Sequence, residues 1–184
     1  MASGRIGRSV AKRERGATLV EAALVFPLLF LVLMAIVEFG LAFKDDLSVG
    51  HGAREGARAG ATFGTDPFAN YLVLREVENV LASISVSEGL RVRIYNPVSG
   101  QGDNYVYQKG FATGCDWNPC PDPDNTNYQV PNWRPVLRDV SAPFTDRIGV
   151  RISYTHRWLT GFFFSTSDFT KDVDLQMEPQ IFDP

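Results

Sequence analysis

The chain has 184 residues, 45 % of them hydrophobic and 21 % charged, with a net charge of −3, enough for one modest folded domain plus an accessory segment. Charge is unevenly placed: residues 1–16 hold Arg5, Arg8, Lys12, Arg13 and Arg15 against Glu14, a net of +4, so the remainder carries −7. An acidic body excludes nucleic acid as its partner, because phosphate contacts need clustered cations, and a basic stretch beside an apolar run reads instead as a membrane-orientation signal.

From Ala17 to Phe43 the only charged residues are Glu21 and Glu38, and Lys44, Asp45 and Asp46 end the run. As helix this stretch spans about 40 Å, against a hydrocarbon core of about 30 Å. It is too long for the apolar region of a secretory signal peptide, and no small-residue cleavage site closely follows it. A helix apolar on all faces also needs a larger protein around it than this chain supplies. The reading is a basic segment over 1–16, which the family likeness given below makes a leader peptide, and a transmembrane helix over 17–43. The cations before the helix keep the N-terminus cytoplasmic and send residues from about 44 onward across the membrane. Pro27 removes one helical hydrogen bond and predicts a kink or local loosening.

The helical pattern continues over 44–62 as a juxtamembrane extension. Gly52, Gly56 and Gly60 recur every four residues with Ala53 and Ala57 beside them, and Arg54 and Arg58 form a polar face. Small residues on one face allow close backbone approach, and each glycine costs about 1 kcal/mol in a helix interior. That cost favours a helix-packing stripe over a soft, solvated helix end. FGTDPF at 63–68 is a break, and the extracytoplasmic domain occupies 63–184. A second amphipathic helix is expected at about 68–84, with Leu72, Val73, Val77, Val80, Leu81 and Ile84 at helical spacing. Strands are expected from Gly89 through LRVRIYN, over 149–158, and over 169–177. The fold class is therefore α+β: a long N-terminal membrane helix, then a small antiparallel sheet packed on helix.

The segment from about 96 to 145 is loop-rich and contains GCDWNPCPDPDNTN. Cys115 and Cys120 are the only cysteines, and in a translocated, oxidising compartment they predict a local disulfide. Their spacing is not that of a redox C-x-x-C centre. Asp116, Asp122, Asp124 and Asn125 offer oxygen ligands of the calcium type, but without EF-hand spacing; the simpler reading is a polar turn with Asx caps. Catalysis has little support. The only histidines are His51 and His156, and no nucleophile elbow, Walker loop or H-E-x-x-H occurs. No cofactor, metal or small-molecule substrate is implied.

RGATLVEAALVFPLLF at 15–30, EFG at 38–40 and AREGARAGA at 53–61 together resemble the TadE-like family, the minor pilins or pseudopilins of tight-adherence (type IVb, Flp-type) pilus systems. VRISYTHRWLTGFFF at 150–164 carries the likeness more weakly, and about 96–145 carries none. The resemblance implies a structural protein with a pilin-like domain. It also implies cutting by a membrane prepilin peptidase after a glycine on the cytoplasmic side, here between Gly16 and Ala17, with Glu21 as the glutamate at position five of the mature chain. Its implied partners are the membrane, that peptidase, other pilins and pilus assembly proteins. Its implied place is the bacterial cytoplasmic membrane, single-pass, with a possible place in or at the pilus. Cutting would create a charged amine on Ala17, four residues and one helix face away from Glu21. The alternative is an uncleaved signal anchor whose outer domain binds a ligand or partner, with Glu21 an ordinary interfacial carboxylate near the helix start.

Overall fold

The computed structural model describes residues 7–82, 90–161 and 165–179. Arg5, Ile84, Gly89 and the phenylalanines at 162–164 lie outside the described residues. The chain divides into two compact units, Met1–Leu41 and Ala42–Pro184.

One helix, α1 (Gly7–Phe63), supplies most of the first unit and the opening of the second, and it runs through Pro27 without interruption. Between Glu21 and Glu38 it is apolar on every side, and Leu19, Leu24, Phe26, Leu28 and Phe30 are each more than 60 % exposed. The helix is long and apolar enough to cross a membrane, and none of its most apolar stretch is buried.

In the second unit α1 becomes one-faced. Val49, Ala53 and Ala57 are fully buried, while Arg54, Arg58 and Thr62 stay exposed. Gly64, at φ 48°, follows the last turn, in the left-handed conformation that glycine adopts freely. Asp66 then accepts the Phe68 N–H at 2.8 Å and turns the chain into α2 (Ala69–Leu81), which buries Val73, Leu74, Val77 and Leu81.

The five strands are β1 (Arg91–Tyr95), β2 (Gly102–Ala112), β3 (Cys115–Asn118), β4 (Arg147–Arg157) and β5 (Thr166–Gln176). They form one sheet in the order β3-β2-β1-β4-β5, with every neighbouring pair antiparallel. Alternation sends Val92 and Ile94 of β1, and Ile148, Val150 and Ile152 of β4, into a core shared with α1 and α2. The other face is wet. There Arg151 bonds Asp172 at 2.9 Å through Nε, Ser153 meets Thr170 at 3.2 Å, Thr155 donates to Asp168 at 2.7 Å, and Arg147 pairs with Asp174.

β2 and β3 fall in the stretch expected to be loop. Beyond them, residues 128–146 are irregular apart from a 3-10 turn at Pro135–Leu137, but anchored. Asp103 accepts the backbone N–H groups of Asn132 and Trp133 at 2.8 and 3.2 Å. Arg138 is 4 % exposed, donates to Asn70 at 2.5 Å and stacks on Trp133 at 4.2 Å. Burial lowers its guanidinium to about 10. Asn70 in turn donates to the Tyr105 hydroxyl at 2.8 Å, so α2, β2 and the loop share one polar knot.

Two carboxylates tie α1 to the far side of the sheet. Asp45 accepts from His156 Nδ1 at 2.8 Å and from the Tyr154 hydroxyl at 3.1 Å, both on β4. Asp46 pairs with Lys171 of β5 at 2.8 Å. The closing link is from the Glu178 N–H to the Ala61 carbonyl at 3.1 Å.

The Tyr154 hydroxyl is pushed up from 10.0 to about 12, first by burial and then by the Asp45 charge. A raised folded-state value means that the neutral phenol favours the fold below about pH 10, and that this contribution is lost as pH rises towards 12. Alkaline unfolding followed by circular dichroism should therefore show a drop in stability between those values. Tyr154→Phe should flatten that drop, and an unchanged profile would remove Tyr154 from the account.

The glycines of α1 differ in how closely the core approaches them. A Cβ on Gly52 would lie 3.4 Å from Leu81 Cδ2, an ordinary contact, whereas one on Gly56 would lie 2.7 Å from Val77 Cγ2. Val77 is β-branched and buried in a helix, so it has little rotamer freedom to give way. Gly56→Ala should cost about 1–3 kcal/mol by overpacking, while Gly52→Ala should be neutral or stabilising by up to about 1 kcal/mol. Urea unfolding of the detergent-extracted protein separates the two, and equal effects would contradict this packing.

Candidate functional site

The residues singled out from sequence fall in three places. Gly16, Ala17 and Glu21 are exposed on α1 in the first unit. Between Gly7 and Gly40 of this helix, Gly16 is the single glycine, and it meets no other group within 4 Å. By intrinsic propensity it costs about 1 kcal/mol against alanine, less than Pro27 in the same stretch. Ala17 and Glu21 stand one turn apart on the same face. Gly16 and Ala17 are thus exposed, with the Glu21 carboxylate one turn beyond Ala17.

Gly52, Gly56 and Gly60 belong to the second unit, where they face α2 and β4. The nearest groups to a Cβ at Gly60 would be Ile148 and Val73. The third place is β3 and its loop, at one edge of the sheet. Cys115 and Cys120 are joined in a disulfide with their Cα atoms 6.1 Å apart, and both are buried. The structure does not bring this loop to the glycine stripe; α1 packs over β4, and β2 and β1 lie between β3 and β4.

The loop's oxygens are spent locally. Asp116 accepts the Gly110 N–H at 2.6 Å, Asp122 the Asp124 N–H at 3.0 Å, and Asn125 the Asn127 N–H at 2.9 Å. Among the described residues no three acidic, histidine or cysteine side chains gather as a metal site. An open cleft of about 800 Å³ lies between α2 and the β2–β3 hairpin, lined by Tyr71, Arg75, Glu78, Asp116 and Trp117 among others.

His156 is a buried sheet histidine. It is caged edge-on by Trp158 and Phe169 at 5.1 and 6.0 Å between ring centres and bonded to Asp45. The hydroxyls beside it in sequence, Ser153 and Thr155, bond β5 side chains on the opposite face. His51 is exposed, 3.9 Å from Glu55. Among the described residues neither histidine hydrogen-bonds a serine, threonine or cysteine side chain.

Sequence reasoning took Asp45 and Asp46 only as the end of the apolar run. Two adjacent carboxylates after a membrane-length helix were the signal available, but their partners on β4 and β5 are more than a hundred residues away.

Residues 16–58 match the family model described as TadE-like protein. This segment is TadE-like. No curated protein and no solved structure matches the chain. The TadE-like segment opens on Gly16, runs through the apolar helix and ends between Gly56 and Gly60, leaving α2 and the whole sheet beyond it.

The disulfide closes a short ring, for which chain entropy alone gives about 2 kcal/mol. Alkylation without reductant should add no mass to the protein, and alkylation after reduction should add two adducts. Cys120→Ser should lower unfolding stability by about that amount. Adducts on the unreduced protein would show the bond to be absent.

Proposed function

We propose that this chain is a processed minor pilin or pseudopilin of a tight-adherence, Flp-type pilus. On this reading it is made as a single-pass precursor with its N-terminus in the cytoplasm, cut between Gly16 and Ala17 by a prepilin peptidase, and used in pilus assembly. The observation that carries the reading is the TadE-like match, which begins at the glycine of the proposed junction. The exposure of that junction on a membrane-length helix supports it.

The chemistry is consistent with extraction from a membrane. Residues 1–16 hold five cations, which pin the helix to the cytoplasmic side. Removing them releases that anchor, which suits a subunit that later leaves the bilayer for an assembly and serves no purpose in a permanent anchor. The new amine on Ala17 is then available to Glu21 of its own chain or of a neighbouring subunit. In a low-dielectric setting, loss of one partner from such a pair costs about 3–5 kcal/mol. No catalytic step enters this function; the protein works through its contacts.

N-terminal sequencing of membrane-extracted protein should begin at Ala17, and Gly16→Val should leave the leader attached. Glu21→Ala should still be inserted and cut, but its co-purification with other pilins should fall a hundredfold or more, as that pair energy implies. A chain that keeps Met1 in cells holding the peptidase would favour an uncleaved signal anchor instead. Normal assembly of the Glu21→Ala protein would reduce Glu21 to an interfacial charge.

A further inference from the structure

We propose that Arg54 and Arg58, on the outer face of α1, dock on the acidic β3 loop of a second copy of this chain. The two arginines are one helical turn apart and exposed, on the side away from the buried Gly52, Gly56 and Gly60. Neither makes a hydrogen bond or ion pair among the described residues. Several other cations are engaged within the unit: Arg147, Arg151 and Lys171 pair with Asp174, Asp172 and Asp46, and Arg138 is buried.

The complement lies at the opposite edge of the sheet. Between Lys109 and Arg134 the sequence has no cation, and it holds Asp116, Asp122 and Asp124. Asp116 lines the cleft that Arg75 also lines, and Asp122 and Asp124 lie off it. These two are each preceded by a proline, which fixes the local φ. The loop is further held by the disulfide and by Asn125, which donates to the Thr113 carbonyl at 2.8 Å. Its charges are therefore presented on a pre-set backbone, which lowers the ordering cost of a contact.

Charge selects the occupant. Residues 42–184 hold 13 cations and 18 carboxylates, a net of −5, so two folded units repel on average, and a contact between them needs a local cationic patch set against an acidic one. The arginine pair and the loop supply that match from different parts of one unit. Different patches meeting head to tail leave one of each unused at either end, so the contact repeats as an open chain of copies. It concerns the folded unit and does not depend on cutting at Gly16.

The test uses two differently tagged full-length copies, co-expressed in membranes and extracted in detergent, with co-purification as the readout. Arg54→Glu with Arg58→Glu in both copies should lower co-purification about tenfold, and Asp122→Lys with Asp124→Lys in both copies should do the same. Mixing one copy of each kind offers both the unaltered pairing, arginines of one copy on the acidic loop of the other, and the reversed one, and should restore it. Wild-type association should weaken between about 0.1 and 1 M salt, as the Debye length shrinks from about 10 to 3 Å. Retained circular dichroism and an intact disulfide establish that the variants fold. Repeating the series with Gly16→Val separates this contact from leader removal. Unchanged co-purification in either reversed variant overturns the proposal. So does loss without restoration in the mixture, which would assign the arginines to a different acidic partner.

Discussion

The second unit depends on one close approach: the backbone of α1 lies against α2 and β4 with nothing but hydrogen in between at Gly56 and Gly60. A side chain there would hold the helix away from Val73, Val77 and Ile148, and the shared core would open. The glycines cost helix stability, roughly 1 kcal/mol each in the interior. Close packing of fully buried valines, leucine and isoleucines offsets that cost, since each such side chain contributes about 1.5–3 kcal/mol when taken out of water. Over residues 23–33 the same helix has no such face, and its large apolar side chains are exposed all round. One continuous helix thus carries two surface patterns, and the change between them falls near Asp45 and Asp46.

Those two aspartates give the packing its direction. Apolar contact alone would tolerate sliding of α1 along the sheet. Asp45 on Tyr154 and His156, with Asp46 on Lys171, fixes both axial position and rotation, because each bond has a donor at one place only. The Glu178 to Ala61 bond does the same at the other end.

Much of this was legible in the sequence, and the reasons differ by element. The apolar run, the stripe of small residues and α2 announce themselves through local periodicity. β1, β4 and β5 are found through period-two alternation. β2 escapes because Gly102, Asp103, Asn104, Gln108, Lys109 and Gly110 read as turn residues, yet Asp103 is buried as an acceptor for the loop and Tyr105 as a partner of Asn70. β3 is only four residues long and lies inside the cysteine loop. The roles of Asp45, Asp46 and Arg138 are set by partners distant in sequence, so no local pattern encodes them. Glu21 is the reverse case: its spacing from Gly16 is plain in the sequence, and the folded chain gives it no internal task.

The bond between Glu178 and Ala61 has a consequence for the order of events in the cell. Synthesis delivers α1 first and the residues that cover it last: β4 supplies Ile148 and Val150, β5 supplies Lys171, and the seal comes from Glu178. Pairings between segments so far apart in sequence make folding slow relative to helix formation. The glycine stripe therefore has α2 beside it early but lacks its β4 cover until the chain has passed Ile152. A ribosome that stops before β4 leaves two formed helices with one flank of the stripe open, and the bond from Glu178 can only come after both.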